Sequence, residues 1–174
     1  MIISKTPYRI SFFGGGSDYP SWYSKYGGTV LSTTINKYLY ISCRNLPPFF
    51  DHKYRIVWSK IENVKKIGDI KHKAIKELLN YYKCKSGVEI HYDGDLPAKS
   101  GIGSSSSFVV GSINALSKFN NYNIKKKKLA EDSIYFEQKV LNEVVGSQDQ
   151  IAASYGGFNR IFFKKNNTIK VKKN

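Results

Sequence analysis

The sequence lacks any long apolar run: stretches such as Phe108 to Val110 or Val140-Leu141 fall far short of the ~20 residues a membrane-spanning helix needs. No membrane crossing is therefore expected. Cysteine is almost absent. Cys43 and Cys84 lie far apart, and His52, His72 and His91 are equally scattered, which argues against a zinc site and for free, reduced thiols. The N-terminus has Lys5 and Arg9 but no apolar core or small-residue cleavage site of a secretory signal, so a cytoplasmic location is expected. No internal repeat is present. Acidic residues are scarce as well: 13 Asp and Glu against 28 Lys and Arg leave a formal charge of +15. What remains, 41% hydrophobic and 24% charged over 174 residues, is a globular composition that excludes wholesale disorder.

An excess of positive charge suits nucleic acid, anionic lipid or phosphorylated small molecules. Much of it falls in Lys125 to Lys128 and in a C-terminal stretch with Lys164, Lys165, Lys170, Lys172 and Lys173. Neither run interleaves aromatic with basic residues, as a single-strand binding groove does. They read as a solvated helix start and a charged tail.

Residues 1–13 alternate towards Tyr8, Ile10 and Phe12 and predict a strand that ends in Gly14-Gly15-Gly16. The β-branched and aromatic run Thr29 to Ser42 predicts one or two strands, and Tyr54 to Ser59 a short one. Asp69 is placed to cap a helix through Tyr82, with Ile70, Ala74, Leu78 and Tyr82 four apart. Val88 to Tyr92 follows as a strand, then a loop from Asp93 to Ser107 that turns into a helix with its body at Phe108 to Phe119. A further helix is expected from Leu129 to Val145, with Leu129, Phe136, Val140 and Val144 on one face. Gln148 to Tyr155 reads as a short helix and Asn159 to Phe163 as a strand. Strands and helices mix without strict βαβ alternation, so the expected class is α+β, one domain over 1–174.

Three segments carry chemistry. Residues 97–107, PAKSGIGSSSS, lie between a strand and an amphipathic helix, where glycine and serine let the backbone approach an anion and the helix start attracts phosphate. The Walker A spacing and its lysine are absent. Residues 6–20, TPYRISFFGGGSDYP, set Arg9 on a strand and Asp18 after a triple glycine. Residues 146–159, GSQDQIAASYGGFN, set Asp149 in a polar window bounded by glycines, twelve residues after Glu137.

In this order the segments resemble those of the GHMP kinases, the superfamily of galactokinase, homoserine kinase, mevalonate kinase and phosphomevalonate kinase. Residues 97–107 match its phosphate motif, with Ile102 for leucine and Ser106-Ser107 for the usual alanines. Residues 6–20 and 146–159 look more particularly like those of kinases acting on the anomeric hydroxyl of D-glycero-D-manno-heptose 7-phosphate. The resemblance implies a ribosomal-protein-like two-layer fold, a mixed sheet with helices on one face, and ATP and Mg²⁺ as cofactors. It implies that Gly101, Gly103, Ser104, Ser105 and Ser106 wrap the triphosphate, with Ser105 and Glu137 on the metal. Asp149 is implied as the base, with Arg9 beside it, and Gly15, Gly16, Ser17 and Asp18 as sugar contacts. Members of this type run to about twice this length, so the chain is expected to be an N-terminal domain whose site a C-terminal domain completes. Self-association stays open. Three other readings stand beside this one: another sugar-1-kinase, such as a fucokinase-like enzyme; a nucleotide-binding module without activity; and a basic nucleic-acid-binding domain. The last has no use for Glu137 and Asp149 in a shared cleft, which disfavours nucleic acid as a partner.

Overall fold

The computed structural model describes residues 1–84, 86–97 and 100–173; Ala98 and Lys99 of the glycine–serine segment lie outside the described residues, as do Lys85 and Asn174. Its frame is a mixed seven-stranded sheet of order β4-β3-β5-β2-β6-β7 with β1 added on β2. Strands β1 (Ile2–Phe13), β2 (Gly28–Asn45), β3 (Tyr54–Val57), β4 (Ile61–Val64), β5 (Val88–Gly94), β6 (Phe158–Phe163) and β7 (Ile169–Lys173) are antiparallel neighbours except for the parallel pair β3 and β5. Residues Leu31 to Thr33 pair with both β1 and β6, which therefore occupy opposite edges of the long strand β2.

Helices α1 (Pro20–Tyr26), α2 (Lys73–Tyr81), α3 (Ser104–Phe119), α4 (Lys126–Tyr135) and α5 (Gln148–Tyr155) cover one face. Their main contact is α3, which buries Val109, Val110, Ile113, Ala115 and Leu116 against Leu39, Ile41 and Ile90 of the sheet. Small residues let it lie close. A Cβ at Gly111 would sit 2.8 Å from Thr6 Oγ1 and 3.4 Å from Ile41 Cγ1. Cys43 and Cys84 are free and buried, and burial pushes the Cys43 thiol up to about 12.

Several elements differ from the sequence expectation, each for a local reason. Helix α2 starts after His72 rather than Asp69, which belongs to a 3₁₀ turn at Ile67–Asp69; His72 Nδ1 accepts from the Ile75 N–H at 3.4 Å. The helix expected from Leu129 to Val145 ends early, because α4 widens into a π-helical turn at Phe136–Val140 that buries Phe136 and Glu137 together. Val144 is then 89% exposed, not on the apolar face. Of the lysines of the expected tail, Lys170, Lys172 and Lys173 lie in β7, paired with β6, and Lys164 and Lys165 in the turn that joins the two strands. Helix α1 and strand β4 carried too short a pattern to be expected at all.

Strand β1 holds the most consequential difference. Ser4, Thr6 and Tyr8 are buried, but Ile10 and Phe12 are 41% and 51% exposed, because the pairing shifts from Pro7↔Tyr38 to Arg9↔Thr34. This irregularity turns Arg9 and Ser11 to the helix side, as bulges beside functional sites do. On the packing seen at Gly111, Gly111→Val is expected to cost about 1–3 kcal/mol in chemical denaturation. An unchanged midpoint would contradict the close α3 contact.

Candidate functional site

Beyond β5 the chain reaches Gly101 and Gly103, both left-handed at φ +76° and +74°, and Gly103 caps α3. The helix begins at Ser104, ahead of the expected body, so Ser104, Ser105 and Ser106 form its first turn, where N–H groups have no intrahelical partner. Glycine suits position 103 on two counts. Besides the positive φ, a Cβ there would lie 3.1 Å from Asp149 Oδ2 and 3.3 Å from Arg9 Cγ.

That gap is filled by an ion pair. Arg9 Nε and Nη2 donate to Asp149 Oδ1 and Oδ2, each at 2.7 Å, a bidentate geometry that fixes both planes. Arg9 Nη1 donates to the Gly101 carbonyl at 2.9 Å and its backbone N–H to the Ile102 carbonyl at 3.1 Å. Thus β1, the glycine loop and the first turn of α5 meet at one side chain. Next along β1, Ser11 Oγ donates to Gln148 Oε1 at 2.7 Å.

The triple-glycine turn is fastened to the same place. Asp18 is 1% exposed; its Oδ1 accepts from the Gly16 N–H and its Oδ2 from the Gln148 N–H, both at 3.1 Å. Its carboxylate is thus committed to backbone groups and holds the turn against α5, with sugar hydroxyls at most an additional partner. Gly146 must be glycine to admit it, since a Cβ would fall on Asp18 Oδ2. Ser17 Oγ donates to the Gly14 carbonyl at 2.7 Å and accepts from the Thr29 N–H at 3.2 Å, closing the turn. Gly16 has open space on its Cβ side, and the nearest atom for Gly15 is Gln148 Nε2 at 3.8 Å, so the turn presents bare backbone.

Glu137 is fully buried. Its Oε2 accepts from Ser106 Oγ at 3.0 Å and closely from Gln150 Nε2, while Oε1 has no hydrogen-bond partner among the described residues. Burial pushes its pKa up to about 7 against those two hydrogen bonds. The sequence reading paired Glu137 with Ser105 on a metal; the structure brings Ser106 to the carboxylate, and Ser105 is exposed. No group of three or more His, Cys, Asp or Glu converges among the described residues. One carboxylate with an unsatisfied oxygen beside serine hydroxyls still suits Mg²⁺, which takes few protein ligands and keeps several waters or phosphate oxygens.

A second feature has no counterpart in the motifs. Trp58, His72, Tyr92 and Phe108 line a cavity of about 540 Å³ together with Lys71, Lys73 and Ser104. His72 stacks on Phe108 with ring centroids 5.0 Å apart and meets Trp58 edge-on at 5.0 Å. These residues come from the end of β3, the start of α2, β5 and α3, so no linear pattern marks them. In the sequence Trp58 falls inside the strand expected over Tyr54 to Ser59, where an aromatic residue is ordinary; the structure ends β3 at Val57 and leaves Trp58 beyond it. A smaller cleft of about 190 Å³ is lined by Arg9, Asp18, Tyr19, Ser106, Gly146, Gln148 and Asp149. Ser105 lines both. An apolar aromatic pocket and a cleft holding a paired carboxylate therefore meet at the first turn of α3.

Known proteins share this frame. The family model described as the GHMP kinases N terminal domain matches residues 69–157. D-glycero-alpha-D-manno-heptose 7-phosphate kinase of Campylobacter jejuni is 33% identical over 97% of this chain and 52% of its own length. Galactokinase of Thermotoga maritima is 25% identical over 95% of this chain and 47% of its own length. The crystal structure of a D-glycero-D-manno-heptose 1-phosphate kinase from Bacteriodes thetaiotaomicron superposes with a TM-score of 0.88 at 27% identity, covering 99% of this chain and 59% of that one. The chain spans about half the length of the curated relatives it matches.

The aromatic pocket generates a pH prediction. Desolvation lowers the His72 pKa below its ordinary 6.5, against a backbone hydrogen bond and the Glu62 charge. The unfolded chain therefore takes up this proton first as pH falls. The stability that neutral His72 contributes is complete above 6.5 and is lost as pH falls through the lower folded-state value. Denaturation midpoints between about pH 7.5 and about pH 5 should fall further in the wild type than in His72→Asn, which keeps a capping side chain. Equal acid sensitivity would contradict the assignment.

Proposed function

The chain belongs to the GHMP kinase family, and from that premise we propose that it forms the ATP-binding half of a sugar kinase and supplies its catalytic base. GHMP kinases are phosphotransferases that use ATP. The single observation that carries the reading is the meeting at Ser105 of a pocket suited to a nucleobase and a cleft suited to an acceptor hydroxyl. Phosphoryl transfer asks the protein mainly to position two reactants and neutralise charge, and this arrangement offers both.

The aromatic pocket takes the adenine ring, whose faces suit Trp58, His72 and Phe108. From there the phosphates run along the first turn of α3, received by its outward-facing N–H groups and by Ser104, Ser105 and Ser106 beside Gly101 and Gly103. Asp149 is the base: its carboxylate, held at both oxygens by Arg9, accepts the proton of the acceptor hydroxyl as that oxygen attacks the γ-phosphorus and the bond from that phosphorus to the β–γ bridging oxygen breaks, releasing ADP. Arg9 fixes the plane of the carboxylate and adds positive charge beside the reacting groups. Glu137, with Ser106 hydrogen-bonded to it and Ser105 beside it in the same turn, would hold Mg²⁺, which when bound would offset the negative charge of the phosphates.

The acceptor is proposed to be D-glycero-D-manno-heptose 7-phosphate, reacting at its anomeric hydroxyl. Two observations support it: the relative from Campylobacter jejuni carries a heptose 7-phosphate in its name, and Gly15 and Gly16 leave the backbone of the turn uncovered, as the approach of a polyhydroxylated ring requires. A C-terminal domain, as the length of the relatives suggests, completes the site, and a cytoplasmic location with its supply of ATP fits the reading.

In the complete gene product, assayed for ATP turnover with heptose 7-phosphate, Asp149→Asn is expected to lower kcat ~100-fold or more while nucleotide affinity is kept. Normal turnover would remove Asp149 from the base role.

A further inference from the structure

Glu62 is a buried carboxylate, 8% exposed, that lies outside every motif and touches neither cleft directly. It sits on β4, opposite Ile56 of β3, and its partners are neutral N–H donors. Its Oε1 accepts from Trp58 Nε1 at 3.0 Å and from the His72 N–H at 3.1 Å; its Oε2 accepts from the Lys71 N–H at 2.5 Å. Burying a carboxylate is costly, and three donors on two oxygens are what make it tolerable.

All three donors belong to the wall of the aromatic pocket. Trp58 and His72 line it, and Lys71 and His72 are the two residues that lead into α2. Through them the constraint extends further, because Trp58 meets His72 edge-on and His72 stacks on Phe108. One carboxylate thus fixes the indole in its plane and the start of α2 in its place, and with them two faces of the pocket.

We propose that Glu62 is a positioning residue for nucleobase recognition, acting through Trp58 and the 71–72 backbone rather than by contact with the nucleotide. The proposal rests on the reading of this pocket as the adenine site. Glutamine keeps the shape of the side chain but turns an NH₂ group against one of the donors. Alanine leaves all three donors buried without an acceptor.

The test separates base from phosphate. The 174-residue chain and its E62Q and E62A variants are titrated calorimetrically with Mg²⁺ and either AMP-PNP or inorganic tripolyphosphate, with circular dichroism as the check on folding. In the wild type AMP-PNP should bind tighter than tripolyphosphate. In E62Q that advantage should shrink about tenfold, the loss expected when a buried donor goes unpaired, while tripolyphosphate affinity stays the same. If E62A folds, it should lose at least as much; if it does not fold, E62Q decides alone. A second readout follows Trp58 directly: in a Trp22→Phe background Trp58 is the single tryptophan, and E62Q should shift its emission to the red. Should E62Q keep the full base advantage with unshifted emission, or weaken both ligands equally, the positioning role is overturned while the adenine site stands. A wild type with no preference for AMP-PNP over tripolyphosphate overturns the adenine site, and this proposal with it.

Discussion

Arg9 and Asp149 stand 140 residues apart in the chain, and the two 2.7 Å hydrogen bonds between them are the contact on which the geometry of the site turns. Each neighbouring feature exists in a form that permits it. The irregular pairing of β1 with β2 swings Arg9 to the helix side, and Gly103 leaves out the Cβ that would press on both partners. The glycine loop is tied to the same guanidinium by the Gly101 carbonyl, so the start of α3 and the start of α5 are held at a fixed separation. A carboxylate gripped at both oxygens has little freedom to rotate, which is the condition for meeting an incoming hydroxyl in one geometry.

The surrounding groups divide into those that act and those that hold. Asp18 fastens the triple-glycine turn to the backbone of α5, and Glu62 fastens Trp58 to the entry of α2. Both are buried carboxylates satisfied by N–H donors. Glu137 differs, because one of its oxygens is buried without a hydrogen-bond partner among the described residues. A folded chain keeps such a group only where other packing offsets its desolvation, and here α3 and the helix-covered face of the sheet supply that packing.

How much of this was legible in the sequence depended on whether the signal was local. Strands β1 and β2, helix α5 and the glycine–serine loop follow from contiguous patterns, and the order of three short motifs led to the family. The bulge that exposes Ile10 and Phe12 did not, because alternation along β1 says nothing of where β2 carries extra residues. The π-helical turn after α4 was hidden for a related reason: Leu129, Phe136 and Val140 keep a helical period, while the break is made by the wider turn and by Asn142 in the left-handed region. Lysine-rich β7 read as a tail because its stabilisation comes from pairing with β6, not from its own composition. The aromatic pocket was the largest omission, and its four rings are brought together only by the fold.

The claim at the centre is that one reaction coordinate passes through Ser105, from the aromatic pocket to the Arg9–Asp149 pair. Its most direct test is a crystal structure of the protein with AMP-PNP and Mg²⁺ bound. The account predicts the purine against Trp58, His72 and Phe108, and the terminal phosphate over the first turn of α3, facing Asp149. A nucleotide bound with its base elsewhere, or with its terminal phosphate directed away from Asp149, would contradict it.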